Sequence, residues 1–371
     1  MPSAPVGGAL PPNRPALRVD LQALGRNAAA LRRRSPAELG AVVKADAYGL
    51  GAEEVSRHLA ERCGVTSFFV AYATEGRDVR HAVNRRGIPP AHIYVLNGYH
   101  EADATRFDAR NLRPVLNDRA QAAAWAETGG ACALGVDVGM NRLGLDAAEV
   151  PTLCAETGLA PQDVKLVIAH LSHAGEPDHP ANAQQVARFE QLVRAAREAL
   201  PAARFSLSAS GGIALPQAPN EGLVRAGIAL YGGAADADPG SALEQVATLT
   251  APVILTRTVG PGETAGYDGR WRAERESRLA VLALGYADGY PRAMFPRGRA
   301  ILNGVACPLA GRVSMDLLIA DVTEAGPVFV GDRAELFGPS RALDAAAADA
   351  GTIGYELLAG LGPRVERRYV R

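Results

Sequence analysis

Gly40-Ala-Val-Val-Lys44-Ala-Asp-Ala-Tyr48-Gly49-Leu50-Gly51 is the stretch from which the rest of the chain can be read. An apolar run ends on a lysine and gives way to a Gly-Leu-Gly turn, as when a buried strand delivers a polar group to a sheet edge. The chain of 371 residues holds 39 lysines plus arginines, and of these only Lys44 and Lys165 are lysines. Arginine meets nearly every cationic need here, but it neither forms a Schiff base nor gives up a proton at neutral pH. Lys44 is therefore a candidate for covalent chemistry with a carbonyl. The plainer alternative is a strand-end lysine reaching out to solvent.

Outward from Lys44, short apolar runs alternate with longer amphipathic stretches. Strands are expected at 39–43, 67–71, 92–96, 112–116, 131–137, 164–169, 204–208 and 222–229, with helices between them at 52–62, 118–127 and 180–199. Eight strands alternating with helices match an α/β fold of the (β/α)8 TIM-barrel type, for which about 250 residues is typical. A doubly wound sheet is the competitor, because periodicity fixes neither strand order nor closure. After about residue 245 the pattern changes to runs at 251–257, 279–284, 300–303, 307–310, 316–321, 327–330 and 333–337, divided by Gly/Pro/Asp turns. That pattern predicts a mostly β C-terminal domain over 246–371 behind a barrel over 15–245. It closes with an Ala-rich helix over 343–359, for which Asp344 is the expected N-cap. Residues 1–14 read as a disordered leader, since they lack the apolar core of a signal peptide.

Composition narrows the function. A net charge of −1, with both signs interspersed, gives no pull toward nucleic acid or anionic membrane. No apolar run approaches the roughly 18 residues of a membrane-spanning helix. Four isolated cysteines suit a reducing compartment, so a cytoplasmic location is expected. The cluster His170, His173, Glu176, Asp178 and His179 invites a metal reading, but Pro177 and Pro180 break any helix that would align such ligands, and no metal is expected.

In a barrel, chemistry sits at the carboxyl ends of the strands. Lys44 and Tyr48 follow the first expected strand, Arg142 the fifth, and His170 the sixth. Ser210-Gly-Gly follows the seventh strand, and Arg225-Ala-Gly227-Ile228 belongs to the eighth. Loops after the last two strands are the usual phosphate cradle of such barrels, and the glycines there leave backbone N–H groups open. A Schiff-base lysine and a phosphate cradle on one rim point to pyridoxal 5′-phosphate.

With those residues in place, the chain resembles the bacterial alanine racemase family. The resemblance rests on Val-Val-Lys44-Ala-Asp-Ala-Tyr48-Gly-Leu-Gly, Val136-Asp-Val-Gly-Met-Asn-Arg-Leu-Gly144 and Arg225-Ala-Gly-Ile-Ala-Leu-Tyr-Gly232. Gly285-Tyr-Ala-Asp-Gly-Tyr290-Pro, Gly311-Arg-Val-Ser-Met-Asp316 and Arg364-Val-Glu-Arg-Arg-Tyr369 follow in the family's order. It implies a head-to-tail homodimer with shared active sites, in which the C-terminal domain completes the partner's site. Lys44 then resembles the lysine bonded to the cofactor. Tyr48, Ser210, Gly227, Ile228 and Tyr355 match the phosphate contacts. Arg225 matches the arginine facing the pyridine nitrogen, and Arg142 the one near the phenolic oxygen. Tyr286 resembles the second catalytic base, Met315 and Asp316 the partner residues at the substrate carboxylate, and His170 the histidine supporting the tyrosine.

The implied reaction interconverts L- and D-alanine by two-base proton transfer, with Lys44 on one face of the cofactor-bound substrate and Tyr286 on the other. Both side-chain types have ordinary pKa values of about 10, so each must be tuned by its surroundings. A racemase or decarboxylase of another amino acid on the same scaffold is the alternative. A decarboxylase should carry a cysteine and acidic residues where Tyr286 and Met315 stand. The chain also departs from the pattern. Gly135 stands where many relatives have a lysine that is carbamylated and orients the arginine equivalent to Arg142, and Asp46, Leu50 and Ala226 replace common family residues.

Overall fold

The computed structural model describes residues 14–220, 222–234 and 243–371; most of the leader expected at 1–14 lies outside them. Chain contacts divide the molecule into two compact units, Leu21–Glu244 and the combination of the segment ending at Asp20 with Gln245–Arg371.

Ala16–Asp20 (β1) is the first element among the described residues. The first unit then contains β2 (Glu38–Val42), β3 (Ser67–Val70), β4 (His92–Val95), β5 (Leu112–Leu116), β6 (Cys132–Asp137), the two-residue spur β7 (Leu145–Asp146), β8 (Val164–Ile168), β9 (Arg204–Ser206) and β10 (Leu223–Ala226). All eight long strands pair in parallel, in the order β10-β2-β3-β4-β5-β6-β8-β9. A parallel bridge between Ala209 and Arg225 joins the two ends, with Arg225 N donating to Ser208 O at 2.9 Å. The sheet is thus an eight-stranded parallel barrel, and the doubly wound alternative is excluded. Strands buried on both faces read as continuous apolar runs, which is why their positions show in the sequence. Inside, Phe69 and Tyr94 stack at 5.1 Å between ring centres. Helix limits follow local chemistry. Asp118 caps Arg119–Thr128 by accepting from Gln121 N at 2.8 Å, and Pro180 opens Pro180–Ala196 at a position whose N–H needs no helical partner.

The second unit is a mostly antiparallel β structure built around the long strand β11 (Ala247–Val259). Here the expected start of the barrel at residue 15 differs from the pairing. β1 runs antiparallel to β11, with Ala16 opposite Thr250, and parallel to Glu366–Val370. It lies inside the second unit's sheet, a non-local pairing that no local pattern reveals. Two further expectations fail. Residues 327–330 form no strand, and Phe329 and Val330 are exposed. The single helix expected over 343–359 is two, Leu343–Asp349 and Gly354–Ala359, interrupted where Gly351 takes φ +71°. Ala342, not Asp344, stands at the N-cap. Among the described residues no helix is long and apolar enough to cross a membrane.

Candidate active site

Lys44 emerges from β2 into a turn of unusual hand. Ala45, Asp46, Ala47 and Tyr48 have φ of 51°, 54°, 52° and 57°, and Gly49 continues at 80°. A left-handed turn costs residues with a Cβ about 1–2 kcal/mol each, so something must hold it. Ala47 N donates to Val43 O at 2.9 Å, Gly49 N to Ala45 O at 2.8 Å and Gly51 N to Asp46 O at 2.8 Å. The Asp46 carboxylate accepts from Ala52 N at 2.7 Å. Glu75 ties the turn to the next strand, since its carboxylate accepts from Ala45 N at 2.8 Å and from Ala71 N at 2.7 Å. Asp46, which stands in place of a common family residue, therefore has a structural task.

Lys44 is half-buried. Burial holds its amine below the ordinary lysine value, the Arg142 guanidinium lowers it further, and Glu75 opposes both. A larger neutral fraction suits an amine that must attack a carbonyl or accept a proton.

Arg225 is buried inside the barrel. One terminal nitrogen, Nη1, donates to Ser206 O at 2.8 Å and Ser206 Oγ at 2.6 Å. The other, Nη2, donates to Ala169 O at 2.6 Å and Leu207 O at 3.2 Å. Burial pushes the guanidinium down to about 10, which leaves it charged near neutrality. His170 Nδ1 lies 3.5 Å from Nη2. Arginine has only donors, so Nδ1 accepts and the ring proton resides on Nε2. Burial, then Arg225, Arg142 and Lys44, push His170 down to about 3, so the ring is neutral.

In the same unit the Ser210 hydroxyl gathers two backbone donors. Ser210 Oγ accepts from Gly227 N at 2.8 Å and from Ala229 N at 3.3 Å. Gly227 has no room for a side chain: a Cβ there would lie 2.4 Å from Tyr48 Oη. Ile228, fully buried, opens the 3-10 turn Ile228–Tyr231. Tyr48 packs on Tyr231 at 5.1 Å, and Tyr231 Oη donates to Val42 O at 2.8 Å, which fixes the aromatic pair to the strand carrying Lys44.

Arg142 is exposed, on the loop after β6. The Asp137 carboxylate at the end of β6 is engaged by the loop's own backbone, accepting from Gly139 N and Met140 N at 2.8 Å and from Asn141 N at 2.9 Å. Gly135 sits under Asn117: a Cβ there would lie 2.2 Å from Asn117 Oδ1. The Asn117 amide nitrogen is in turn held by Val115 O at 2.9 Å and Leu96 O at 3.1 Å. The space that a longer residue at 135 would need is therefore taken. In the histidine cluster His173 and His179 stack at 3.8 Å, and among the described residues no group of three or more His, Cys, Asp or Glu is placed to hold an ion.

The other expected residues belong to the second unit. Tyr286 opens the turn Tyr286–Asp288, its N donating to Ser314 O at 3.0 Å, while Ala287 N donates to Met315 O at 2.9 Å. Gly285 permits this approach, because a Cβ there would meet Met315 O at 2.2 Å. Arg364 contacts buried Asp288 at 2.9 Å and Asp316 at 2.7 Å, so Tyr286, Met315 and Asp316 form one braced platform. Tyr286 and Met315 are 43% and 54% exposed, unusual for such side chains on a braced surface. Tyr355 is half-buried on the helix Gly354–Ala359. Glu75, Asn117 and Ser206 escaped the sequence reading. Only Glu75 left a trace there, as an acidic residue in the first turn of a helix, where its carboxylate accepts from Tyr72 N at 3.2 Å.

Residues 19–235 match the family model described as "Alanine racemase, N-terminal domain", and residues 246–369 match "Alanine racemase, C-terminal domain". An alanine racemase of Methylobacterium nodulans is 42% identical over 366 residues, covering 95% of each chain. The biosynthetic alanine racemase of Pseudomonas aeruginosa is 34% identical, with a TM-score of 0.87 over 97% of this chain and 100% of that one. The alanine racemase of Bartonella henselae, solved with covalently bound pyridoxal phosphate, is 31% identical, with a TM-score of 0.86 and the same coverage.

Proposed function

We infer the function of this chain from its place in the alanine racemase family, to which it belongs: it interconverts L-alanine and D-alanine. The observation that carries the reading is the lowered lysine on the barrel rim, in a unit that also holds a serine hydroxyl accepting from two backbone N–H groups and a buried arginine.

These residues suit pyridoxal 5′-phosphate. Lys44 offers an amine poised for a carbonyl. Ser210, Tyr48 and the N–H groups of Gly227 and Ile228 would hold a phosphate where a Cβ on Gly227 would intrude. Tyr355 would add a hydroxyl. Arg225, its terminal nitrogens committed to carbonyls and a hydroxyl, would face the ring nitrogen and keep it unprotonated, with neutral His170 behind it. The cofactor, when bound, supplies a conjugated system that takes up the electron pair left at Cα as its proton departs.

The chain's own groups then move that proton. The Lys44 amine removes or returns it on one face. The Tyr286 phenol, contributed by a second copy of the chain, does so on the other. Tyr286 and Met315 exposed on a single chain, braced by Arg364, support a homodimer in which this platform serves the partner's barrel. Arg142, Met315 and Asp316 would receive the substrate carboxylate. Four free cysteines support a cytoplasmic location.

The test follows optical rotation and deuterium at Cα with L-alanine and the cofactor in deuterated water. Loss of rotation with deuterium incorporation, abolished in Lys44→Ala, is the expected result. Exchange without inversion would remove Tyr286 from the mechanism. An absence of exchange with alanine, despite cofactor on Lys44, would assign the chain to another amino acid.

A further inference from the structure

The second lysine lies at the opposite end of the barrel from the first. Glu38 opens β2, His92 opens β4 and Arg204 opens β9, while Arg113 and Lys165 are the second residues of β5 and β8. These side chains gather at the amino-terminal mouth, away from the loops that carry Lys44. With Thr66 and Ala202 they line a cavity of about 410 Å³, within the range of small-molecule sites.

Charge in this cavity is unbalanced. Among the described residues lining it, Glu38 is the one carboxylate, and it is already engaged. It accepts from Ser67 Oγ at 2.7 Å and Thr66 Oγ1 at 3.2 Å, and it pairs with Arg204. Among the described residues Arg113 pairs with no carboxylate; it donates to Tyr94 Oη at 3.0 Å and lies 5.6 Å from the centre of that ring. Lys165 donates to the backbone carbonyl of Gln162. Neighbouring Arg80 adds charge without adding an anion, since its donors go to the carbonyls of Ala91, Arg110 and Asn111. His92 registers the result: burial first, then Arg113, Arg204 and Arg80 against Glu38, push its imidazole down to about 4.

We propose that this mouth is a binding site for a small multivalent oxyanion, a phosphate or a polycarboxylate, held by Arg113, Lys165 and Arg204. The guanidinium forks offer paired donors to such oxygens, and Lys165 offers a compact rotatable cation at the rim. In this half-buried setting the attraction is screened less than on open surface. The inference does not depend on the proposed reaction.

The test uses cofactor-loaded protein, so that added phosphate does not report on the other rim. Histidine ring resonances, with His92 assigned by His92→Gln, are followed as sodium phosphate, sodium citrate or sodium chloride is added at matched ionic strength. The expected result is a saturable shift of His92 with phosphate or citrate but not with chloride, and a rise of its pKa from about 4. In both Arg113→Gln and Lys165→Gln the affinity should fall at least about tenfold, the size of one charge-assisted contact. Saturation by phosphate alone assigns a phosphoryl ligand, and by citrate alone a polycarboxylate. An equal shift with chloride, no saturable shift, or wild-type affinity in both variants overturns the proposal. Lys165 sits at the half-buried rim, so its variant keeps the test open if Arg113→Gln does not fold.

Discussion

At Lys44 two neighbouring charges pull in opposite directions. Arg142 lowers the amine's pKa and Glu75 raises it, both on top of burial. Arg142→Gln should therefore move the pKa up and Glu75→Gln should move it down. Mass-spectrometric labelling of Lys44 against pH in cofactor-free protein reads both, and shifts of the same sign would refute the electrostatic picture. His170 gives a prediction for stability. Its folded value of about 3 lies below the ordinary 6.5. As pH falls below 6.5 the unfolded chain gains a proton that the folded chain refuses until about 3, so stability declines through that window. His92 acts in the same sense. His170→Gln should flatten the loss of stability between about pH 7 and about pH 5, as read by urea unfolding. Lys44 was legible in the sequence because lysine is so rare in this chain. Asn117 was not, since a side chain lying over a glycine on the next strand leaves no mark in spacing or composition.

Among the elements, the left-handed turn after β2 gives the sharpest expectation. Ala45 is exposed and has φ 51°, so Ala45→Gly removes Cβ strain without opening a cavity. It should stabilise the fold by about 1 kcal/mol, measured by denaturant unfolding. A loss of stability would mean that Glu75 and the backbone bonds hold the turn free of strain. The barrel strands were readable because parallel strands, covered on both faces, must be apolar throughout. The turn was not, because Ala, Asp, Ala and Tyr carry no left-handed signature. Its reason lies in Glu75, 30 residues from Ala45. The exposed pair Phe329-Val330 misled for the complementary reason: apolar identity alone does not establish a strand.

Across the whole molecule, β1 joins residues that are far apart in the chain. It lies between β11 and Glu366–Val370, so a truncation that removes residues 1–20 should unfold the second unit. If that truncation leaves the second unit intact, β1 is dispensable to that sheet. The break in pattern near residue 245 was visible from the sequence, but the return of the first strand to the later sheet was not, because pairing at such separation is written in neither partner alone. That return also orders events during synthesis. The ribosome releases Ala16–Asp20 first, then the whole of Leu21–Glu244, and only afterwards the strands that flank β1. At typical elongation rates the wait is on the order of tens of seconds, long beside the folding time of an ordinary domain. Through that interval the nascent chain carries an unpaired strand with both edges open, a natural target for a chaperone. Slowed translation should therefore harm the yield of the second unit before that of the first.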